Sequence, residues 1–359
     1  MKANSKRFIP RKIVSLGTRT VIFRAWSQFL RRAKMRSYGH ENPDKTFYVI
    51  GFNDTAGGIF WLLNKALMHI SFAVEAGYIP VIDYKNYRTQ YTGPNDLGKV
   101  NVWEKYFQQP FGYSLDDVYK SKNVILAARY PAPDREHFMG NFYNDKSRIQ
   151  YFRSFFSKYI RYDSFVKAYL EEQISLLPNG GVKTLGVLCR GTDYLTMRPK
   201  NHPIPPTSQQ VIQKAKNVMT EHGCETLFLA TEDEDVYSDF HAVFGERLIV
   251  NRQTRIKRSQ LPDGKPLAYQ KMQIAQSSET RFQAGLEYLC AIYLLSKCSC
   301  FIGTRCGGTK GALILSSGFQ YEYTFDLGMY GGQVVPLKDN DPMKVGRLGI
   351  DYPKHVAPR

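Results

Sequence analysis

No run in this 359-residue chain reaches the ~18 uncharged apolar residues needed to cross a bilayer. No cysteine precedes Cys189, no C-x-x-C pair occurs, and no secretory signal pattern opens the chain. The six cysteines (Cys189, Cys224, Cys290, Cys298, Cys300, Cys306) lie mostly in apolar runs of the second half, so they read as reduced thiols of a cytosolic protein. The crowding from Cys290 to Cys306 raises a metal question, but the paired spacing of a zinc site is missing. Carboxylates are absent before Glu41, whereas Met1 to Arg36 carries eleven Lys and Arg. Of the net charge of +17, only about +6 therefore belongs to the rest of the chain. Strict G-x-G-x-x-G spacing is also missing, as are a named nucleic-acid module and a second basic face, so no nucleic-acid partner is expected.

An apolar fraction of 43% with 14% aromatics is that of a globular protein, and the length suits two domains of ordinary size. Residues 12–36 have the spacing of a basic amphipathic helix, with Ile22, Trp26, Phe29 and Ala33 on one side and Arg24, Arg31, Arg32 and Lys34 supplying charge. Such a helix suits an anionic membrane surface, and a solvated basic arm is the plainer alternative. Thr46 to Ile50 predicts a strand. The loop Gly51 to Gly58, a long apolar helix from Ile59 to Ala76 and a second strand from Ile79 to Asp83 complete a βαβ unit. The loop's glycines serve equally well to bring the helix against the sheet or to let a ligand approach the backbone. Trp103 reads as core. A strand from Asn123 to Ala128 and helices over Lys146–Tyr159 and Ser164–Leu177 follow, and Pro178-Asn179-Gly180-Gly181 then breaks the pattern.

The second half alternates strand and helix at the rhythm of a parallel sheet covered by helices. Strands are predicted at Thr184–Cys189, Thr226–Thr231, Arg247–Val250 and Cys300–Gly303, with helices at Ser208–His222, Phe282–Ser296 and Thr309–Ser316. The stretch 251–277 reads as a polar, basic, mobile loop. Three strands end in polar turns: Arg190 to Asp193, Thr231 to Asp235, and Thr304 to Thr309. A doubly wound sheet puts such turns on one edge, where ligands bind. There an arginine grips phosphate or carboxylate, and a helix start supplies N–H groups and positive dipole. Taken alone, Arg190 reads more plainly as a strand cap paired with Asp193.

Two stricter motifs fail. Gly303 to Lys310 resembles a P-loop, but Thr309-Lys310-Gly311 stands where Gly-Lys-Ser/Thr is required. A Mg²⁺-dependent kinase or NTPase on Gly303–Lys310 is kept as an alternative. The run Glu232 to Asp235 has the charge for a divalent cation but fits better as acid complementing a helix dipole.

These stretches resemble a family. Gly186-Val187-Leu188-Cys189-Arg190-Gly191-Thr192-Asp193 is similar to the first motif, H-x-R-x-(T/G)-D, of the fucosyltransferase superfamily, which spans α1,6, nodulation-factor, α1,2 and protein O-fucosyltransferases. Leu229-Ala230-Thr231-Glu232-Asp233 resembles the second motif, L-A-T-D-D, and Phe301 to Lys310 sits where the third follows a strand. The likeness runs over about residues 46–325, and only the first two motifs are specific.

The resemblance implies an α/β protein of GT-B fold, with two Rossmann-like domains facing a cleft. It implies an N-terminal arm (1–40), an acceptor-side domain (41–178), a nucleotide-sugar domain (179–335) and a tail (336–359). The implied activity is inverting, metal-independent transfer of a sugar, fucose from GDP-fucose, to a glycan or lipid-linked glycan at the cell surface, by a cytoplasmic enzyme peripheral to the membrane. No cofactor is implied beyond the GDP-sugar substrate. Arg190 would hold the diphosphate. Thr192, Asp193, Thr231 and Asp233 would shape the donor site, and Arg305, Cys306, Gly307, Gly308 and Thr309 the phosphate-binding turn. Leu188 stands where the motif has histidine, Gly191 where a second arginine is frequent, and Cys306 where serine is common. No carboxylate lies in Tyr194 to Lys200 to serve as the base found there in the α1,6 branch, so Asp54 of the N-terminal unit is the candidate. A non-catalytic protein, membrane-associated or binding nucleic acid through the arm, is the remaining alternative.

Overall fold

The computed structural model describes residues 34–127, 142–190, 193–262 and 265–331, with the Lys34 and Asp193 side chains outside that description. Among the described residues nine strands form two sheets. The first, in the order β1-β4-β2-β3, comprises β1 (Lys34–Arg36), β2 (Glu41–Ile50), β3 (Ile79–Ile82) and β4 (Ser121–Leu126). β2 runs parallel to β3 and β4, and β1 closes the edge antiparallel to β4. The second comprises β5 (Thr184–Leu188), β6 (Thr226–Ala230), β7 (Leu248–Ile249), β8 (Cys300–Thr304) and β9 (Tyr321–Phe325). Its order is β7-β6-β5-β8-β9, parallel throughout. The protein is α/β with two sheets, parallel except for the edge strand β1, as the GT-B expectation requires. The chain leaves β5 in one direction to build β6 and β7 and returns on its other side with β8 and β9. The order therefore reverses between β5 and β8, where a crevice opens beyond the carboxyl ends of the strands.

Local chemistry explains the elements. Every residue of β5 and β8 is buried, which is why both read as unbroken apolar runs. The helix Ser208–His222 starts on a capping box between Thr207 and Gln210 and stops at Gly223, in the left-handed region at φ 62°. Helix Ser278–Leu295 opens on a second box, between Ser277 and Thr280.

The helix Ile59–Glu75 is buried on nearly all sides, because it lies between the first sheet and the helices Ser278–Leu295 and Gly307–Leu315 of the second unit. A Cβ at Gly311 would run into the Phe60 ring, so glycine is what allows these two helices to meet. One apolar cluster consequently runs from Ile50, Phe60 and Leu63 through Leu188 to Ile292 and Leu313, joining the two units.

Two sequence readings are corrected. Residues 34–36 are not the end of a helix; they are strand β1, paired with Val124–Leu126. Residues 12–33 of the predicted amphipathic helix lie outside the described residues, as do 332–359. The stretch 251–277 is not a plain loop. Ile256 bridges to Asp233 beside β6, residues Leu267–Ile274 form a helix, and Lys271 is buried. Trp103 is core, at 3% exposure. Among the described residues no helix is long and apolar enough to cross a membrane.

Candidate active site

The three polar turns do converge. A cavity of about 150 Å³ lies over the crevice and is lined by Arg190 after β5, by Thr231 and Glu232 after β6, and by Cys306, Gly307 and Gly308 after β8. The N-terminal unit closes it with Ala56 and Gly58 of the glycine-rich loop, Phe60 and Trp61 of the following helix, and Gln90 and Tyr91. Leu267, Lys271 and Met272 from the segment misread as loop, with Tyr288, complete the wall.

Arg190 is half-buried, its guanidinium carbon 3.9 Å from the centre of the Tyr194 ring. Stacking on an aromatic face fixes the plane of the guanidinium. Across the crevice, helix Gly307–Leu315 begins at Cys306 with no side-chain cap. The first N–H groups of that helix carry the positive end of its dipole, a setting that favours an anion. Gly308 has no room for a side chain, since a Cβ there would press on the Tyr288 hydroxyl, Leu188 and Ile292. Tyr288 packs edge-on against Phe60, with ring centroids 6.0 Å apart. Burial, then the charges of Cys306 and Glu232, raise its phenol well above its usual pKa, so it stays a hydrogen-bond donor at the cavity wall.

Other residues from the sequence reading hold the framework. Asp233 is 1% exposed and caps helix Glu234–Phe244, accepting from the N–H groups of Asp235 (2.9 Å) and Val236 (3.2 Å). Thr231 accepts from the Asp233 N–H at 3.2 Å. Thr309 is fully buried and donates its hydroxyl to the Thr304 carbonyl at 2.5 Å, tying the helix to its strand. Arg305 is engaged with Asp326 at 2.9 and 3.0 Å. Lys310 lies against the rings of Phe142 and Tyr143, not in the cavity wall. Burial first, and then the neighbouring charges of Arg305 and Arg148, bring its ammonium down to about 7, with Cys306 opposing. Thr192 and the Asp193 side chain lie outside the described residues.

Asp54 is not in the cavity wall. Its carboxylate accepts from the N–H groups of Ala56 (3.3 Å) and Gly57 (2.8 Å), from the Trp61 indole (2.7 Å) and from Lys65 (2.8 Å). Burial pushes its carboxyl up, but the hydrogen bonds and charge of Lys65, with Trp61 and Gly57, outweigh that and hold it below the usual carboxylate value.

The carboxylate that does reach the cavity is Glu232, 2.8 Å from the ammonium of Lys271, which also lies 3.8 Å from Glu287. Lys271 and Glu287 are 5% and 6% exposed. Sequence reasoning missed Lys271 because its partners are far away along the chain. It missed Tyr288 and Trp61 because both sit inside ordinary helical patterns. Among the described residues no three His, Cys, Asp or Glu side chains gather as a metal-binding group.

No family model and no curated protein matches the chain. Among solved structures, the α1,6-fucosyltransferase NodZ co-crystallised with GDP is similar at a TM-score of 0.47 and 13% identity, over 76% of this chain and 93% of that one. NodZ from Bradyrhizobium matches at 0.43 and 14%, over 76% and 94%. POFUT1 in complex with GDP-fucose matches at 0.43 and 10%, over 79% and 99%. TM-scores below 0.5 carry no weight for fold or activity, and the architecture above stands on this chain's own strand pairing.

Proposed function

We propose that this chain is a glycosyltransferase that uses a nucleotide-diphosphate sugar, GDP-fucose in first place, and that the cavity at the β5/β8 crevice is its donor site. One observation carries the reading: Arg190 and the uncapped helix start at Cys306–Gly308 flank the point where the strand order reverses, in a cavity roofed by the other unit. A fixed guanidinium facing a helix N-terminus is the arrangement a departing diphosphate needs, and it works without a metal. The motif resemblance adds the sugar, the base and inversion at the anomeric carbon. Residues 41–178 then form the acceptor side and 179–335 the donor side.

Asp54 is assigned to positioning, since four donors occupy its carboxylate. Glu232 is the carboxylate placed to take the acceptor's proton, with Lys271 holding it in the wall. The acceptor is a glycan or lipid-linked glycan of the cell surface, and the basic arm carries the enzyme to the cytoplasmic face of an anionic membrane. The kinase alternative gains nothing from the geometry, because the Thr309 hydroxyl is bound to its own strand and Lys310 packs on two rings.

The test is thermal unfolding with a nucleotide panel in the presence of EDTA. GDP at a hundredfold excess over its Kd adds ~2.7 kcal/mol of apparent stability. The absence of any GDP shift, or a shift that requires Mg²⁺, contradicts the proposal.

A further inference from the structure

We infer that Trp61 is the platform for the acceptor sugar, and that the acceptor unit it takes is a pyranose ring laid flat on the indole with a hydroxyl directed to Gln90. The inference rests on the transfer reading and adds the chemistry of its second substrate.

Trp61 is 42% exposed, although it stands on a helix whose other large apolar residues are nearly all buried. Its exposed part borders the same cavity as Arg190 and Gly307. The ring is not free to turn. Its N–H donates to Asp54 at 2.7 Å, and the ammonium of Lys65 lies over it, 4.9 Å from the centroid, while pairing with the same carboxylate at 2.8 Å. A Cβ on Gly57 would collide with the indole, so the glycine-rich loop is shaped around this side chain.

Two polar tethers spent on an exposed indole are out of proportion for a surface residue. They make sense for a surface whose orientation matters. The axial C–H groups of a pyranose match a fixed aromatic face, and its rim of hydroxyls needs polar partners at the edge. Gln90 supplies one. It is 5% exposed and lines the cavity, its amide nitrogen donates to the Tyr91 hydroxyl at 2.9 Å, and its amide oxygen has no partner among the described residues. That oxygen is the acceptor the inference assigns to a sugar hydroxyl. Asp54 is thereby a positioning residue for the indole, which accounts for its saturated carboxylate.

The experiment titrates the full chain with tetrasaccharides of glucose, mannose, galactose and N-acetylglucosamine, reading tryptophan fluorescence and stimulated GDP release from GDP-fucose. Of the three tryptophans, Trp103 is buried at 3% exposure. A saturable fluorescence change with one of the four sugars, lost in Trp61→Phe, supports the platform. So does a KM for that sugar raised about tenfold or more in Trp61→Ala and largely restored in Trp61→Phe, while the Kd for GDP moves less than twofold. No response to any of the four sugars overturns the inference, as does an unchanged KM in Trp61→Ala or an equal loss of GDP binding in that variant. Failure of wild-type protein to bind GDP sinks the transfer reading instead, so the two failures are distinguishable.

Discussion

Replacing Lys271 with Met tests whether the cavity wall is held by charge. In the structure the Lys271 ammonium is 2.8 Å from Glu232 and 3.8 Å from Glu287, and Glu287 is only 6% exposed. Glu287 keeps the Thr254 N–H at 2.9 Å and a long contact from Gln283 at 3.5 Å, but no other cation stands near enough for an ion pair among the described residues. Methionine preserves the length of the stem and removes the charge, so the main loss is an uncompensated buried carboxylate. Breaking a buried pair from one side costs about 3–5 kcal/mol. Spread over an unfolding entropy of ~0.75 kcal/mol/K for a chain of 359 residues, that lowers Tm by about 4–7 °C. The assay is thermal unfolding of the wild type, Lys271→Met, Glu287→Gln and the double variant. The double variant should recover most of the loss, because the carboxylate then left without its cation is Glu232, at 28% exposure, and no longer the buried Glu287. A Tm within 1 °C of wild type in the single variant, or a double variant no better than the single, refutes the reasoning.

Three further outcomes follow from the same geometry. Glu232→Gln should lower kcat by roughly 100-fold with GDP affinity kept, and a kcat within twofold of wild type removes Glu232 from the proton transfer. Lys310 titrates at about 7 in the folded chain and at its ordinary 10.5 when unfolded, so between those values the unfolded state binds more protons and stability rises with pH. Tm measured from pH 6 to 9 should therefore climb more steeply in wild type than in Lys310→Met, and parallel curves contradict the burial of that ammonium. Deleting residues 1–33, which spares strand β1, should abolish binding to anionic vesicles and leave GDP binding intact; retained vesicle binding removes the arm from membrane attachment.

The second unit was the more legible half. Its central strands β5, β6 and β8 are buried almost throughout, so each appears as a short apolar run, and its helices carry capping pairs such as Thr207/Gln210 that mark their starts. Placing Arg190 and Cys306 at strand ends required only that alternation. The cavity's other wall left no such trace. Lys271 meets Glu232 across 39 residues, and the polar, basic composition around it is that of any exposed loop. Trp61 reaches the cavity only because Phe60 packs over Gly311 and fixes how one unit sits on the other. Asp54 read as a base because Tyr194 to Lys200 holds no carboxylate; only the surrounding donors show that its lone pairs are occupied. The basic arm misled at its end, where Lys34 to Arg36 keep the helical charge pattern yet pair as an edge strand.

The central claim is that Arg190 meets a diphosphate at the crevice between β5 and β8. Calorimetric titration of GDP into wild type and Arg190→Ala, without metal, tests it most directly. The account predicts metal-free binding in wild type and a loss of about 10-fold or more in the variant, with Tm in the absence of ligand nearly unchanged. Equal GDP affinity in the two proteins, both folded, would contradict it.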